Sequence, residues 1–509
     1  MGTEPHGRLL GILLSNLEPR RDVMRTPFHL PALAHLPVGI LLGALALFLV
    51  GCGPAEEPAV EDVTPDPTAP PGEWAFVNAN VIPMEGPELL PDHTVIVRDG
   101  RVVEVGPSGE VVPSEEAQII EADGGFLIPG LAEMHAHISP DPETPRQEME
   151  DMLFLFAANG VTTIRGMLGA PHQLELRDAI ASREVLGPRF VVAAPSLRGA
   201  TVPTPEDAER LVQEYAAAGY DLLKIHPGIE RHVWDHLVEV AREEGITFAG
   251  HVPADVGIRH ALETGISTVD HLDGYLDGTR RDDLAEGASP LETFQATDPQ
   301  KVEELVSLTR ESGARMVPTM YLWENFFDPV DVDSVMALPE MRYAPPEMRE
   351  GWAQMNRNRW ANQMEQDPDA DWVAVGRAHA DARVEILRAL HEGGVEVLLG
   401  TDAPQMFNVP GFAIHREIPI MERAGMSPLE ILESGSRAVA RYLEEGLGLP
   451  GDFGTVAPGQ WADLVLLREN PLEDLAHLQG VEGVMLRGEW LSGEEIRQRL
   501  EDMAQRFEN

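Results

Sequence analysis

The chain is 509 residues long and 43% hydrophobic, enough for one large domain and a smaller one. Its 85 acidic residues against 38 basic ones leave a formal net charge of −47 at pH 7. A surface that acidic lacks the basic footprint phosphate contacts need, which excludes nucleic acid as a partner.

In chain order, the first landmark is the apolar run 38–50, which follows Arg20, Arg21 and Arg25 and leads into Leu49-Val50-Gly51-Cys52. A positive start, an apolar core of about 7–15 residues and a small-residue cleavage site make a secretory signal. The site resembles a bacterial lipobox, which implies that Cys52 is lipidated and becomes the new N-terminus. The run is shorter than the roughly 20 apolar residues of a membrane-spanning helix. Cys52 is also the single cysteine, so the exported part forms no internal disulfide. We expect residues 1–51 to be removed, with Met24 as the true start. The protein is then exported and lipid-anchored to a cell-envelope membrane, on its periplasmic or extracellular face. Residues 52–72 are Pro-rich and acidic, an extended linker.

Short strand-like runs follow at 74–80, 93–97, 101–105 and 118–121, and similar runs return at 463–467 and 481–486. They predict one small β-sandwich-like domain formed from both chain ends, 73–125 and 452–495, enclosing 126–451. Between them strand and helix patterns alternate, the sign of a parallel α/β fold. Strands are expected at 126–138, 161–166, 189–195, 221–227, 246–252, 266–272, 315–320 and 395–401. Helices are expected at 147–159, 205–218, 231–244, 300–312 and 377–393. Eight strands predict a (β/α)8 TIM-like barrel, whose function sits on the loops after the strand C-termini. The stretch 321–375 carries Trp323, Phe326, Phe327, Trp352, Trp360 and Trp372 and is too long for a simple connection. It predicts a helical lid over the pocket mouth, or an aromatic patch packing the insertion onto the barrel.

Chemistry-bearing residues gather at the ends of these strands. His135 and His137 stand at i and i+2, on one face, and can grip a single ion. Lys224, His251, His271 and Asp402 each stand at or near the end of a short apolar run. Lys224 and Lys301 are the only lysines in the chain, which sets Lys224 apart further. The order His-x-His, Lys, His, His, Asp resembles the amidohydrolase superfamily of metal-dependent hydrolases, over about 72–495. The stretches GVTTIRGM, FAGHVPADVGIRHALETGISTVDHLDGY, LLGTDAP and FGTVAPGQWADLVLL are similar to its imidazolonepropionase and Xaa-Pro dipeptidase-like branch.

The resemblance implies two divalent metal ions, zinc by donor type, since zinc accepts imidazole nitrogen and carboxylate oxygen. His135, His137 and Asp402 would hold one and His251 and His271 the other. The resemblance further implies a Lys224 carbamate bridging both ions, a bridging hydroxide as nucleophile, and Asp402 as the proton carrier. The expected reaction is hydrolysis of an amide or peptide-like C–N bond in a dipeptide or small cyclic amide, and a homo-oligomer is compatible with it. His226 is a candidate for catalysis or substrate binding, Tyr275 for donating to an oxyanion, and Arg198 for holding a substrate carboxylate. His415 is given a structural role, and His232, His236, His260, His379 and His391 are read as surface residues of helices. Gly166 stands where the branch often has Asp. A mononuclear imidazolonepropionase- or deaminase-like hydrolase is the alternative, against which Lys224 argues. A non-catalytic lipoprotein binding module is a second, against which the full ligand set argues.

Overall fold

The computed structural model describes residues 72–508 apart from 87, 286, 328 and 329. Cys52, the expected signal segment and nearly all of the linker lie outside the described residues. Among the described residues no helix is long and apolar enough to cross a membrane.

Strands from both chain ends share one sheet, in the order β15-β14-β13-β5-β1-β2-β3, with β4 also on β1. They are β1 (Glu73–Val81), β2 (Leu90–Arg98), β3 (Arg101–Pro107), β4 (Gln118–Glu121) and β5 (Phe126–Pro129). From the far end come β13 (Leu464–Leu467), β14 (Val481–Leu486) and β15 (Glu489–Ser492). Their β-branched and aromatic residues fit a half-buried pleat. Phe76, Val95, Val97, Leu127, Leu464 and Met485 pack together beneath it. Asp99-Gly100 makes the expected turn between β2 and β3.

The enclosed region is α/β. One parallel sheet joins β6 (Leu131–Ala136), β7 (Val161–Gly166) and β8 (Arg189–Val192). A second joins β9 (Leu223–Ile225), β10 (Phe248–Gly250), β11 (Thr268–Asp270) and β12 (Arg315–Val317). Parallel bridges Ala193↔Leu222 and Leu197↔Ile225 link the two sheets. Residues 397–403 touch both outer strands, through the bridges Met316↔Val397 and Ala136↔Ala403. The helices between them begin as their sequences dictate. Thr204 and Asp298 cap Pro205–Ala218 and Pro299–Ser312, each followed at once by proline.

Three expectations need correction. The apolar run 126–138 is two strands in two sheets, because β5 pairs with β1 and β13 whereas β6 pairs with β7. The run 395–401 forms a single bridge at Val397 rather than a strand, its backbone shared among Met316, Met134 and Ser434. His379 is not a surface residue. It is 2% exposed, stacked on Phe327 at 3.8 Å between centroids. The insertion is helical as expected, with helices Met320–Phe327, Val332–Met336 and Pro346–Gln366, leading into Trp372–Glu392.

Gly166 has a packing reason. A Cβ there would lie 2.6 Å from the Phe190 ring. Gly166→Asp would overpack this site and bury a carboxylate, so it should lower stability by more than the roughly 1–3 kcal/mol of overpacking alone. Denaturant midpoints of the two proteins check this, and an unchanged midpoint would show that Phe190 yields freely.

Candidate metal centre

Strand ends deliver the polar side chains to one buried place. His135 lies near the end of β6 with His137 just beyond, Lys224 lies in β9, and His251 and His271 directly follow β10 and β11. Asp402 follows the run that bridges β12 and β6. Nε2 of His135 lies 3.2 Å from Lys224 Nζ and 3.8 Å from Asp402 Oδ1. His137 Nε2 lies 3.2 Å from Asp402 Oδ1. One ligand atom from each of His135, His137 and Asp402 lies within 4.8 Å of the others. The His271 ring is 4.5 Å from the rings of both His135 and His251, and His226 is 4.8 Å from His251. The structure thus brings together all six expected ligands and His226.

These groups suit cations. Nε2 of both His137 and His271 is buried without a hydrogen-bond partner among the described residues. Burial, repulsion from one another and the Lys224 charge hold His135, His137 and His271 well below the usual histidine range. They are therefore neutral at pH 7, the state in which imidazole binds metal. Burial also pushes the Lys224 amine down and the Asp402 carboxyl up. Gly250 leaves room for the lysine, since a Cβ there would sit 2.7 Å from Ile225 O and 3.1 Å from Lys224 Cδ.

Outside the ligands stands a ring of orienting groups that the sequence reading did not name. Asp270 Oδ2 lies 2.8 Å from His135 Nδ1, at a charge-contact distance though off hydrogen-bond alignment. Buried Arg165 grips both oxygens of Asp270 at 3.2 Å and donates to Met134 O. Asp273 Oδ2 is 2.7 Å from His251 Nδ1, and Thr319 Oγ1 is 2.7 Å from His271 Nδ1. Such contacts on the far nitrogen set the tautomer and ring direction of a ligating histidine. Gln405 donates to Asp402 Oδ1 at 2.6 Å. Glu133, raised to about 7 by burial, accepts from the backbone of His135 and Thr401 and from the Thr401 hydroxyl. The carboxylates on either side of His271, in Asp270-His271-Leu272-Asp273, were the available signal. Their partners across the sheet were not visible in it.

The substrate candidates fare unequally. The Tyr275 hydroxyl is buried and shares a 2.6 Å hydrogen bond with Thr309, so the structure removes it from the set of oxyanion donors. Arg198 is exposed and close enough to His226 to depress its protonation, after burial and the nearby His251, Lys224 and His137. His415 Nε2 pairs with Asn159 Oδ1 at 3.1 Å inside the core, in keeping with a structural role.

Residues 126–491 match the amidohydrolase family. The chain belongs to that family. A solved bottromycin amidohydrolase is similar, with TM-score 0.63 at 25% identity, covering 86% of this chain and 92% of its own. A Xaa-Pro dipeptidase solved with bound methionine shares the fold, with TM-score 0.58 at 18% identity and coverage of 83% and 100%. The adenine deaminase of Ruegeria pomeroyi is 27% identical over 245 residues, 43% of this chain and 39% of its own length. The match thus spans about two fifths of that curated relative.

The Arg165–Asp270–His135 relay gives this amidohydrolase a test. Asp270→Asn keeps the shape but leaves the Arg165 guanidinium buried and unpaired. Metal affinity should fall about 10–100-fold, and stability by about 3–5 kcal/mol. Chelator competition and denaturation measure the two separately, and wild-type metal retention would show that the relay is dispensable.

Proposed function

We propose that the protein hydrolyses the C–N bond of a small amide or dipeptide-like substrate with two divalent metal ions, zinc by the donor set. The observation that carries this reading is a fully buried lysine among four histidines and one aspartate at the strand ends. His135, His137 and Asp402 would hold one ion, and His251 and His271 the other. Bound there, the metals would acidify a water and polarise the substrate carbonyl.

The chain's own residues supply the remainder. Lys224 is the natural bridge once its neutral amine adds to carbon dioxide. A C–N bond forms, the amine loses a proton, and a carbamate anion results. Burial favours the neutral amine that this addition needs. Asp402 is oriented by Gln405 and would move the proton to the leaving amine. His226 and the exposed Arg198 lie on the His251 side, where a substrate's polar end could approach.

The bridges from β6 around to 397–403 support a closed (β/α)8 barrel. The mixed-origin sheet supports a second domain at about 73–125 and 452–495. One observation favours the one-metal, deaminase-like alternative: among the described residues only His135, His137 and Asp402 form a group of three such ligands. Metal content decides. The two-metal reading expects two equivalents in the wild type and one in Lys224→Ala, with loss of amide hydrolysis and no rescue by Lys224→Arg, which cannot become a carbamate. Two metals and normal turnover in Lys224→Ala would refute the Lys224 bridge, one equivalent in the wild type would move the one-metal reading forward, and no metal at all would favour a binding module.

For localisation we propose the lipid anchor at Cys52. Cys52→Ser should lose its lipid and leave the membrane fraction, as lipid labelling and fractionation would show. A mature N-terminus upstream of Cys52 would refute this.

A further inference from the structure

The insertion's long helix, Pro346–Gln366, turns a polar face inward and leaves it unsatisfied. Trp352, Asn356, Arg359 and Trp360 recur at helical spacing along one side. Asn356 is 1% exposed, yet neither its amide nitrogen nor its oxygen has a hydrogen-bond partner. Nε and Nη2 of Arg359 are likewise shielded from water and without a partner. Burial pushes the Arg359 guanidinium down to about 10, still charged at neutral pH, and among the described residues no carboxylate offsets that burial. A shielded guanidinium without an acid among the described residues is costly to bury.

Contacts on both sides locate this face beside the metal ligands. Trp352 meets Phe407, five residues beyond Asp402, at 6.0 Å between centroids. The Arg359 guanidinium lies over Phe326 at 4.6 Å and over Phe327 at 5.3 Å. On the same short helix, Trp323 touches Phe326 and reaches the ring of His271 at 6.0 Å. Asn325 ties that helix to the Asp402 loop through Met406 O. Arg359 therefore sits one aromatic layer from His271, and Asn356 lies one turn before it on the same helix.

We propose that Asn356 and Arg359 recognise a carboxylate on the substrate, next to an apolar group that packs on Trp323 and Phe326. Nε and Nη2 form the side-on edge of a guanidinium, which accepts a carboxylate through two parallel hydrogen bonds. Asn356 adds a free donor and acceptor for the adjoining amide. The substrate class becomes an N-acyl amino acid or dipeptide with a free carboxylate. This rests on the amide-hydrolase reading of the metal centre, but its test does not require turnover.

The probes are N-acetyl-leucine and its neutral counterpart N-acetyl-leucinamide, titrated calorimetrically into zinc-loaded and chelated protein. The wild type should prefer the carboxylate at least about tenfold in both forms, as a charge-assisted contact supports. Arg359→Met should erase the preference, Arg359→Lys should keep part of it, and Asn356→Leu should weaken both probes. Arg357→Met, which removes an exposed charge from the same helix, should leave the preference intact. Thermal melts establish that each variant is folded, and Arg359→Lys and Asn356→Leu carry the test if Arg359→Met is not. Equal affinity for the two probes, no binding of either, or an undiminished preference in the Arg359 variants overturns the proposal. Arg359-dependent binding without hydrolysis of any amide would instead leave this site standing and sink the hydrolase reading.

Discussion

The structure is organised around one costly act, the complete burial of Lys224 among imidazoles. Its Nζ lies 3.2 Å from His135 Nε2 with no exposure to water. An ammonium placed there would lose several kcal/mol of hydration and would repel any second cation. Burial therefore lowers the amine to about 8, toward its neutral form, beside His135, His137 and His271, which are already neutral. Unprotonated imidazoles beside Asp402 are donors that cations would stabilise. β9 and β10 pair so that Lys224 stands opposite Ala249. Gly250 contributes by having no side chain where Lys224 passes.

The ligands are held by over-determination rather than by local preference. His271, Leu272, Thr319 and Asp402 all adopt positive φ, between 44° and 64°. Such conformations in non-glycine residues cost about 1–3 kcal/mol each, and four of them at one site mark it as functional. Specific bonds offset the strain. Arg383 donates to the carbonyls of His271 and Pro318, and Asn408 to that of Thr401. Glu133 binds the Thr401 backbone and hydroxyl from beneath. Arg383 also lies 5.3 Å over Trp323, so the residue that fixes His271 fixes the cover above it.

The candidate ligands were legible because each stands at or near the end of an apolar run and because strand periodicity is strict. His135 and His137 had to share a face. The helices 205–218 and 231–244 were legible to the residue, the first opened by Thr204 and Pro205 and both closed by glycine. What escaped is tertiary. Asp270 neighbours His271 in sequence yet serves His135, because side chains cross from strand to strand in the core. Tyr275 was misjudged because its spacing from His271 presumes a regular helix, whereas the chain turns through positive φ at His271, Leu272 and Gly274. That turn sends its hydroxyl to Thr309. His379 looked like a surface residue because nothing in a helical pattern announces an aromatic cluster above it.

The overall charge bears on how a substrate can be recognised. A surface carrying −47 draws divalent cations toward the protein and repels anions. Salt screens that repulsion beyond roughly 8 Å, so it governs approach more than binding. Selection of an anionic group must then occur at contact, on a cation whose field water does not weaken. An exposed arginine such as Arg198 is surrounded by solvent, and its interactions count for little. A guanidinium shielded by Phe326 and Phe327 keeps most of its strength. Acidic exterior and shielded cation are thus complementary: the first repels anions in general, and the second admits one that also offers an apolar group to the aromatic wall.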